Sequence, residues 1–244
     1  MGLAPAQWRL AEEGRVEQHA HLDEARLRDG RLPHHGPAPV RGDLQRPGRG
    51  AAVDEDLEER GTGARRDDGD VDPRDGRVLG DPNAPVLVVE WGDYQCPACL
   101  QFKQVLFPQL VQDYIATGKI RFEYRDFAFI GEESTLAAEA ALCAQEQGKF
   151  WEYHDTLFAN QRGENVGSFT SARLKRMAEI VGLDMGQFNS CLDSRRHQGE
   201  VEAMRQEGQG LGVNATPTFF VNGQKLQIRY YQDLLNAIEA ELNR

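Results

Sequence analysis

The stretch VLVVEWGDYQCPACL, Val86 to Leu100, decides how the rest of the chain is read. Its first six residues are mostly apolar and rich in β-branched side chains, the composition of a short buried strand. Its last five, CPACL, place two cysteines three positions apart, with proline after the first. Pro97 suits the first position of a helix, where its missing N–H is not needed. Cys99, Phe102, Leu106, Leu110 and Tyr114 then recur at three- or four-residue intervals, the stripe of an amphipathic helix. Pro108 falls inside that helix and is expected to kink it, and Gly118 ends it. The cysteine pair therefore lies at a strand-to-helix corner, Cys96 at the N-cap and Cys99 one turn inside.

Outward from this corner, IRFEYRDFAF (Ile120 to Phe129) alternates apolar and charged residues and reads as a second strand. Helices are expected near residues 133–146, 149–160, 170–181, 185–193 and 198–210. TPTFFVNGQKLQI (Thr216 to Ile228) gives two short strands around Asn222-Gly223, a type I′ hairpin signal. A last helix follows from Tyr231, with Leu234, Leu235, Ile238 and Leu242 on one face. Strand, helix, strand implies a parallel pair with a right-handed crossover, and the hairpin adds an antiparallel pair. The class is α/β, a mixed sheet with flanking helices. The helical block, about residues 131–211, is expected to stand apart as an insertion.

Two intervening residues let one turn bring both sulfurs to disulfide distance. The free N–H groups of Ala98 and Cys99 and the positive end of the helix favour a thiolate at Cys96. That makes Cys96 the exposed, attacked sulfur and Cys99 the shielded, resolving one. A zinc site would want a second close pair of Cys or His. Cys143 and Cys191 are lone residues in separate predicted helices, so no metal site is expected. Two inert core thiols remain an alternative, although a strand-to-helix corner is a poor place to bury them.

The chain has 244 residues, a formal net charge of -11 and a sequence pI near 5.1. That balance argues against a phosphate-binding surface, hence against nucleic acid. No run reaches the ~18 apolar residues of a membrane span, and charged residues interrupt the first 30 positions where a secretory signal would lie. Residues 1–76 contain no Phe, Tyr, Ile, Lys, Asn or Cys, against twelve Arg and seventeen Asp plus Glu. Such a segment cannot offset its ordering entropy. Residues 1–75 are expected to be disordered, apart from a weak helix around Trp8 to Leu27. Alternatively they are upstream GC-rich DNA translated from a misplaced start, since the missing residue types share A- or U-rich codon doublets. In that case the true N-terminus, with any export signal, is not in this sequence. The pairs His19/His21 and His34/His35 read as scattered solvated histidines. A globular domain is expected over residues 76–244.

LGDPNAPV, VVEWGDYQCPAC, KFWEYHDTLF and TPTFFVNG resemble segments of bacterial extracytoplasmic DsbA-type thiol-disulfide oxidoreductases. The order of elements is also similar to that of the DsbA-like branch of the thioredoxin superfamily, over roughly Gly76 to Arg244. The resemblance implies a thioredoxin fold with an inserted helical domain and a Cys96-Pro97-Ala98-Cys99 redox centre. It implies a cis Pro217 lying against that centre, with the Thr216 backbone pairing with an extended substrate segment; the residues alone suggest a trans proline starting an edge strand. It implies that Glu90, six positions before Cys96, is a buried carboxyl that tunes the thiols, which its otherwise apolar strand favours; a solvent-facing strand end is the alternative. Trp91 and Tyr94 either wall the site or simply pack, and His154 reads as structural. In an oxidising compartment Cys143 and Cys191 are expected to form a second disulfide, worth roughly 4 kcal/mol for a loop of this length; two separate buried thiols are the alternative.

The function implied is disulfide formation in unfolded, cysteine-containing exported proteins, outside the cytoplasm, by a monomer without soluble cofactor. A membrane quinone-linked oxidase of the DsbB or vitamin-K-epoxide-reductase type would restore the disulfide. An isomerase or reductase of the same fold is the alternative within this chemistry, and a zinc-stapled adaptor or holdase the alternative outside it. Two departures stand out. Ala98 occupies the position where strongly oxidising members often carry His, and KLQIRYYQDL lacks a glycine often found after the hairpin.

Overall fold

The computed structural model describes residues 76–244. The expectations for residues 1–75, including the weak helix and the histidine pairs, lie outside them. The elements are β1 (Val78–Leu79), β2 (Val86–Gly92), α1 (Pro97–Val105), α2 (Phe107–Leu110), a π-helical turn (Val111–Ile115) and β3 (Ile120–Asp126). Then come α3 (Glu132–Gln145), α4 (Phe150–Ala159), α5 (Ser171–Val181), α6 (Met185–Asp193), α7 (Gln198–Gly210), β4 (Thr218–Val221), β5 (Gln224–Lys225) and α8 (Tyr231–Leu242). The five strands run in the order β1-β3-β2-β4-β5. β2 and β3 are parallel across the α1 crossover, with Glu90 opposite Tyr124. The other three pairings are antiparallel.

Alternation on the strands sets the two faces. On β3, Ile120, Phe122, Tyr124 and Asp126 are buried, and on β2 Val86, Val88 and Glu90 join them. This face packs against α1 through Phe102, whose ring lies 4.7 Å from that of Phe219, and against Leu234 and Ile238 of α8. The opposite face carries Trp91 and Phe220 and packs on Val201 and Met204 of α7 and Leu142 of α3. Gly208 on α7 is required by this second contact. A Cβ there would come within 2.8 Å of Phe127 and 3.0 Å of the Trp91 ring. Gly208→Val is expected to cost about 1–3 kcal/mol by overpacking, read from the denaturation midpoint.

Three local readings change. The helix after Cys96 does not merely kink. Pro108 has no N–H to give to the turn before it, so α1 ends and α2 begins with Pro108 in its first turn. β3 stops at Asp126, not Phe129. The Phe127 amide closes onto Gly92 O, and the amides of Phe129 and Ile130 turn to the Asp93 carboxylate. β1, two residues long, is too short to show a period in the sequence. The Asn222-Gly223 turn has φ 47° and 80°, as a type I′ hairpin demands.

Cys143 on α3 and Cys191 on α6 are joined in a disulfide, with Cα atoms 5.9 Å apart. Both are buried.

Candidate active site

β2 delivers the chain to the corner, and the turn 93–96 passes it to α1. The Cys96 amide donates to Asp93 O at 3.0 Å and Cys96 O accepts from Leu100, so the first cysteine is locked at the N-cap. Both active-site sulfurs are free thiols in this structure. Cys96 retains 7% of its surface and Cys99 none, which fixes which sulfur a partner can reach. Cys96 Sγ donates to Thr216 O at 3.2 Å, and the Thr216–Pro217 peptide is cis. Pro97 and Ala98 form the first turn between the two cysteines.

The electrostatics separate the two thiols. Cys96 is pulled from 9.0 to about 7, first by the Cys99 thiol hydrogen bond and then by Thr216 and the Cys99 and Ala98 amides, against the opposing effect of burial. The amides expected to favour the thiolate take part, and the neighbouring Cys99 thiol adds a larger influence that the sequence did not show. Cys99 is pushed well above its usual range by burial, and further by the Cys96 bond and charge and by Glu90.

Glu90 is not at a solvent-facing strand end. It is buried on the Val88 face, and no group among the described residues hydrogen-bonds its Oε1. Burial raises its carboxyl well above the ordinary range; Lys103 opposes this and Cys96 adds to it. Lys103 itself pairs with Asp155 at 2.6 Å and lies over the Phe107 ring.

Trp91 sits on the other sheet face, under the Arg125 guanidinium at 5.1 Å, and does not wall the sulfurs. Tyr94 packs among Tyr124, Phe158 and His154, and His154 is enclosed by those rings and Trp151. These positions are packing positions.

Residues that the sequence reading passed over hold the corner in place. The buried Asp93 carboxylate accepts from the Gln95 amide at 2.8 Å, Ser134 Oγ at 2.7 Å, Phe129 N at 3.0 Å and Ile130 N at 3.2 Å. Gln95, also buried, donates to Ser134 Oγ and accepts from the Asn165 amide. Gln161 Nε2 donates to Tyr94 O at 2.6 Å and Cys96 O at 3.1 Å. The helical insertion thus grips the redox turn through Ser134, Gln161 and Asn165. Gly131 makes room for this grip, since a Cβ there would meet Asn165 Oδ1 at 2.2 Å. Gly131→Ala is expected to push Asn165 off Gln95 and slow thiol exchange several-fold while leaving α8 and the sheet folded; turnover together with circular dichroism checks it.

With this geometry in view, the likenesses to known proteins are interpretable. The profile of the family described as Thioredoxin (Thioredoxin_4) matches residues 73–240. The chain belongs to the DsbA-like branch of the thioredoxin superfamily. A "Probable disulfide bond formation protein D" of Bacillus anthracis is 33% identical over 170 residues, covering 68% of this chain and 78% of that protein. The crystal structure of oxidised BdbD from Bacillus subtilis superposes with a TM-score of 0.65 at 32% identity, over 69% of this chain and 93% of that one. A Salinispora tropica protein named Na(+)/H(+) antiporter NhaA 3 is 37% identical over 169 residues, 68% of this chain but 24% of its own length. The DsbA-like protein is accordingly a protein-disulfide oxidoreductase, and cysteine-bearing proteins are its substrates. No helix among its described residues is long and apolar enough to cross a membrane.

Proposed function

We propose that the chain works in the oxidase direction, forming disulfides in unfolded exported proteins outside the cytoplasm. A substrate thiolate attacks Cys96 Sγ in the Cys96–Cys99 disulfide. The Cys96–Cys99 bond breaks, a mixed disulfide forms on Cys96, and Cys99 leaves with the electron pair and takes a proton. The second substrate thiolate attacks its partner sulfur, and oxidised substrate departs from a Cys96 thiolate. A membrane quinone-linked oxidase then removes two electrons, and the Cys99 proton is released, to restore the disulfide. The Thr216 backbone pairs with an extended substrate segment in this reading, which its position beside Cys96 at the cis peptide supports.

The observation that carries this reading is the opposed shift of the two thiols. At a value of about 7, about half of Cys96 is ionised near neutral pH, against about one part in a hundred at 9.0. A thiol of lowered pKa is the better leaving group, so Cys96 is readily expelled when the second substrate thiolate breaks the mixed disulfide, and its stable thiolate favours the reduced enzyme and oxidised substrate. The shift is moderate, which suits Ala98 in place of a further donor. The name of the Bacillus anthracis relative supports formation over reduction, and the antiporter-named relative supports work near a membrane. The test is the reduction potential of the pair together with the redox state of Cys96 in cells. An oxidase keeps Cys96 oxidised at steady state; a pool found reduced assigns the protein to isomerisation or reduction instead.

Glu90 is proposed as the group that tunes Cys99 and exchanges its proton. Glu90→Gln is expected to slow Cys99-dependent resolution several-fold and flatten its pH profile, read by rapid mixing of the mixed disulfide. It should also stabilise the fold. A carboxyl raised above 4.5 by burial gives up stability as pH climbs from 4.5 through its folded value. The variant escapes that loss, so its advantage over the parent widens with pH in that window. A pH-independent difference would remove Glu90 from the proton path.

A further inference from the structure

The disulfide of the helical insertion lies in a second built site, which the redox chemistry at Cys96 does not use. Glu132 and Glu139 on α3 and Glu146 at its C-cap recur at seven-residue spacing, and the turn between α6 and α7 docks three consecutive basic residues onto them. Arg195, left-handed at φ 52°, donates to the buried Glu139 through Nε at 2.7 Å and Nη2 at 2.9 Å, and to Glu132 at 2.8 Å. Arg196 donates to Glu146 at 2.6 Å. His197 follows, with Nε2 2.9 Å from Glu146 and Nδ1 2.9 Å from Glu200. A ring nitrogen of His197 and the sulfurs of Cys143 and Cys191 all lie within 4.8 Å of one another. The imidazole is thus held beside the two sulfurs by a turn that Arg195 and Arg196 anchor independently.

Two thiolates and an imidazole are a zinc donor set, and a carboxylate on the other ring nitrogen is the usual orienting partner of a metal-bound histidine. The charges also balance. A divalent ion with two thiolates and a neutral imidazole is neutral, so it can occupy a buried position without an uncompensated charge. Water can fill a fourth position. Cys143 and Cys191 look solitary in sequence, which is why no metal site is expected there; folding supplies the third ligand.

We propose that, when the Cys143–Cys191 bond is reduced, the two thiolates and His197 bind one zinc ion. The cross-link between α3 and α6 then has a disulfide form and a metal form. A dithiol supplies the two electrons and two protons that split the S–S bond and becomes a disulfide itself. Zinc then displaces one proton from each thiol and binds a ring nitrogen of the neutral imidazole. The proposal does not depend on the direction of exchange at Cys96.

The test uses the full chain with Cys96→Ser and Cys99→Ser, so that the active pair contributes no ligands. The protein is reduced with a dithiol, freed of reductant without oxygen, and titrated with zinc against a chromophoric chelator. Cobalt(II) serves as a spectroscopic probe of thiolate ligation. About one zinc per reduced chain and none per oxidised chain is expected, with a thiolate-to-cobalt charge-transfer band. His197→Ala should weaken zinc binding by more than about tenfold, and Cys143→Ser should abolish it. No stoichiometric zinc in the reduced chain, or unchanged affinity in His197→Ala, overturns the proposal. If the reduced chain loses its fold, recovery of the helical signal on adding zinc supports the site, and failure to recover overturns it.

Discussion

A Cys99→Ala variant should lose turnover to the uncatalysed background and accumulate, with a disulfide-bearing client, as a mixed disulfide through Cys96. Cys99 is wholly buried one turn inside α1, and with it gone no intramolecular thiol remains to release a substrate from Cys96. Cys143 and Cys191 cannot stand in, because they are bonded to each other. The same substitution tests the electrostatics. The Cys99 thiol bond is the largest influence lowering Cys96, so its removal should raise the Cys96 value from about 7 toward 9.0. Sign and window follow: the Cys96 thiolate fraction falls most between pH 7 and pH 9, and its alkylation rate at neutral pH falls with it. The Thr216 side chain and the Ala98 and Cys99 amides persist in the variant, so the rise should stop short of a free thiol's value. A clean non-reducing gel would count against the proposed roles of the pair, and an unmoved Cys96 titration would assign its acidity to the helix amides instead.

How much of this was legible before folding follows from range. The corner at Cys96, the stripe from Cys99 to Leu110 and the Asn222-Gly223 hairpin are local patterns of turn chemistry and periodicity, and all three are visible in sequence. The grip of the insertion on the redox turn is not. Asp93 and Gln95 are ordinary polar residues in sequence, and their partners Ser134 and Asn165 lie 39 to 70 positions away. Nothing local signals that the Asp93 carboxylate draws off the Phe129 and Ile130 amides and so ends β3 early. Glu90 shows a related limit. Its place in an apolar strand allowed burial, but only the pairing with Tyr124 and Phe219 fixes which face it takes. His197 is the extreme case, unremarkable in sequence yet beside two sulfurs that are themselves 48 residues apart.

Replacing both Cys143 and Cys191 by alanine should lower stability by about 4 kcal/mol, the loop-closure entropy returned to the unfolded chain by opening a 48-residue loop. For a domain of this size that corresponds to a fall in Tm of about 10 °C. The fold itself should survive. α6 still buries Phe188 and Leu192, and Arg195 still bridges to Glu139 on α3. Turnover measured well below the new Tm should stay close to that of the parent, because the redox turn is held through Gln161, Ser134 and Asn165 and none of these lies on α6. Calorimetry and client oxidation on one preparation separate the outcomes. An unchanged Tm would mean that the bond adds no net stability. A collapse of turnover in a folded variant would mean that the α3–α6 cross-link acts on the chemistry at Cys96 and not on stability alone.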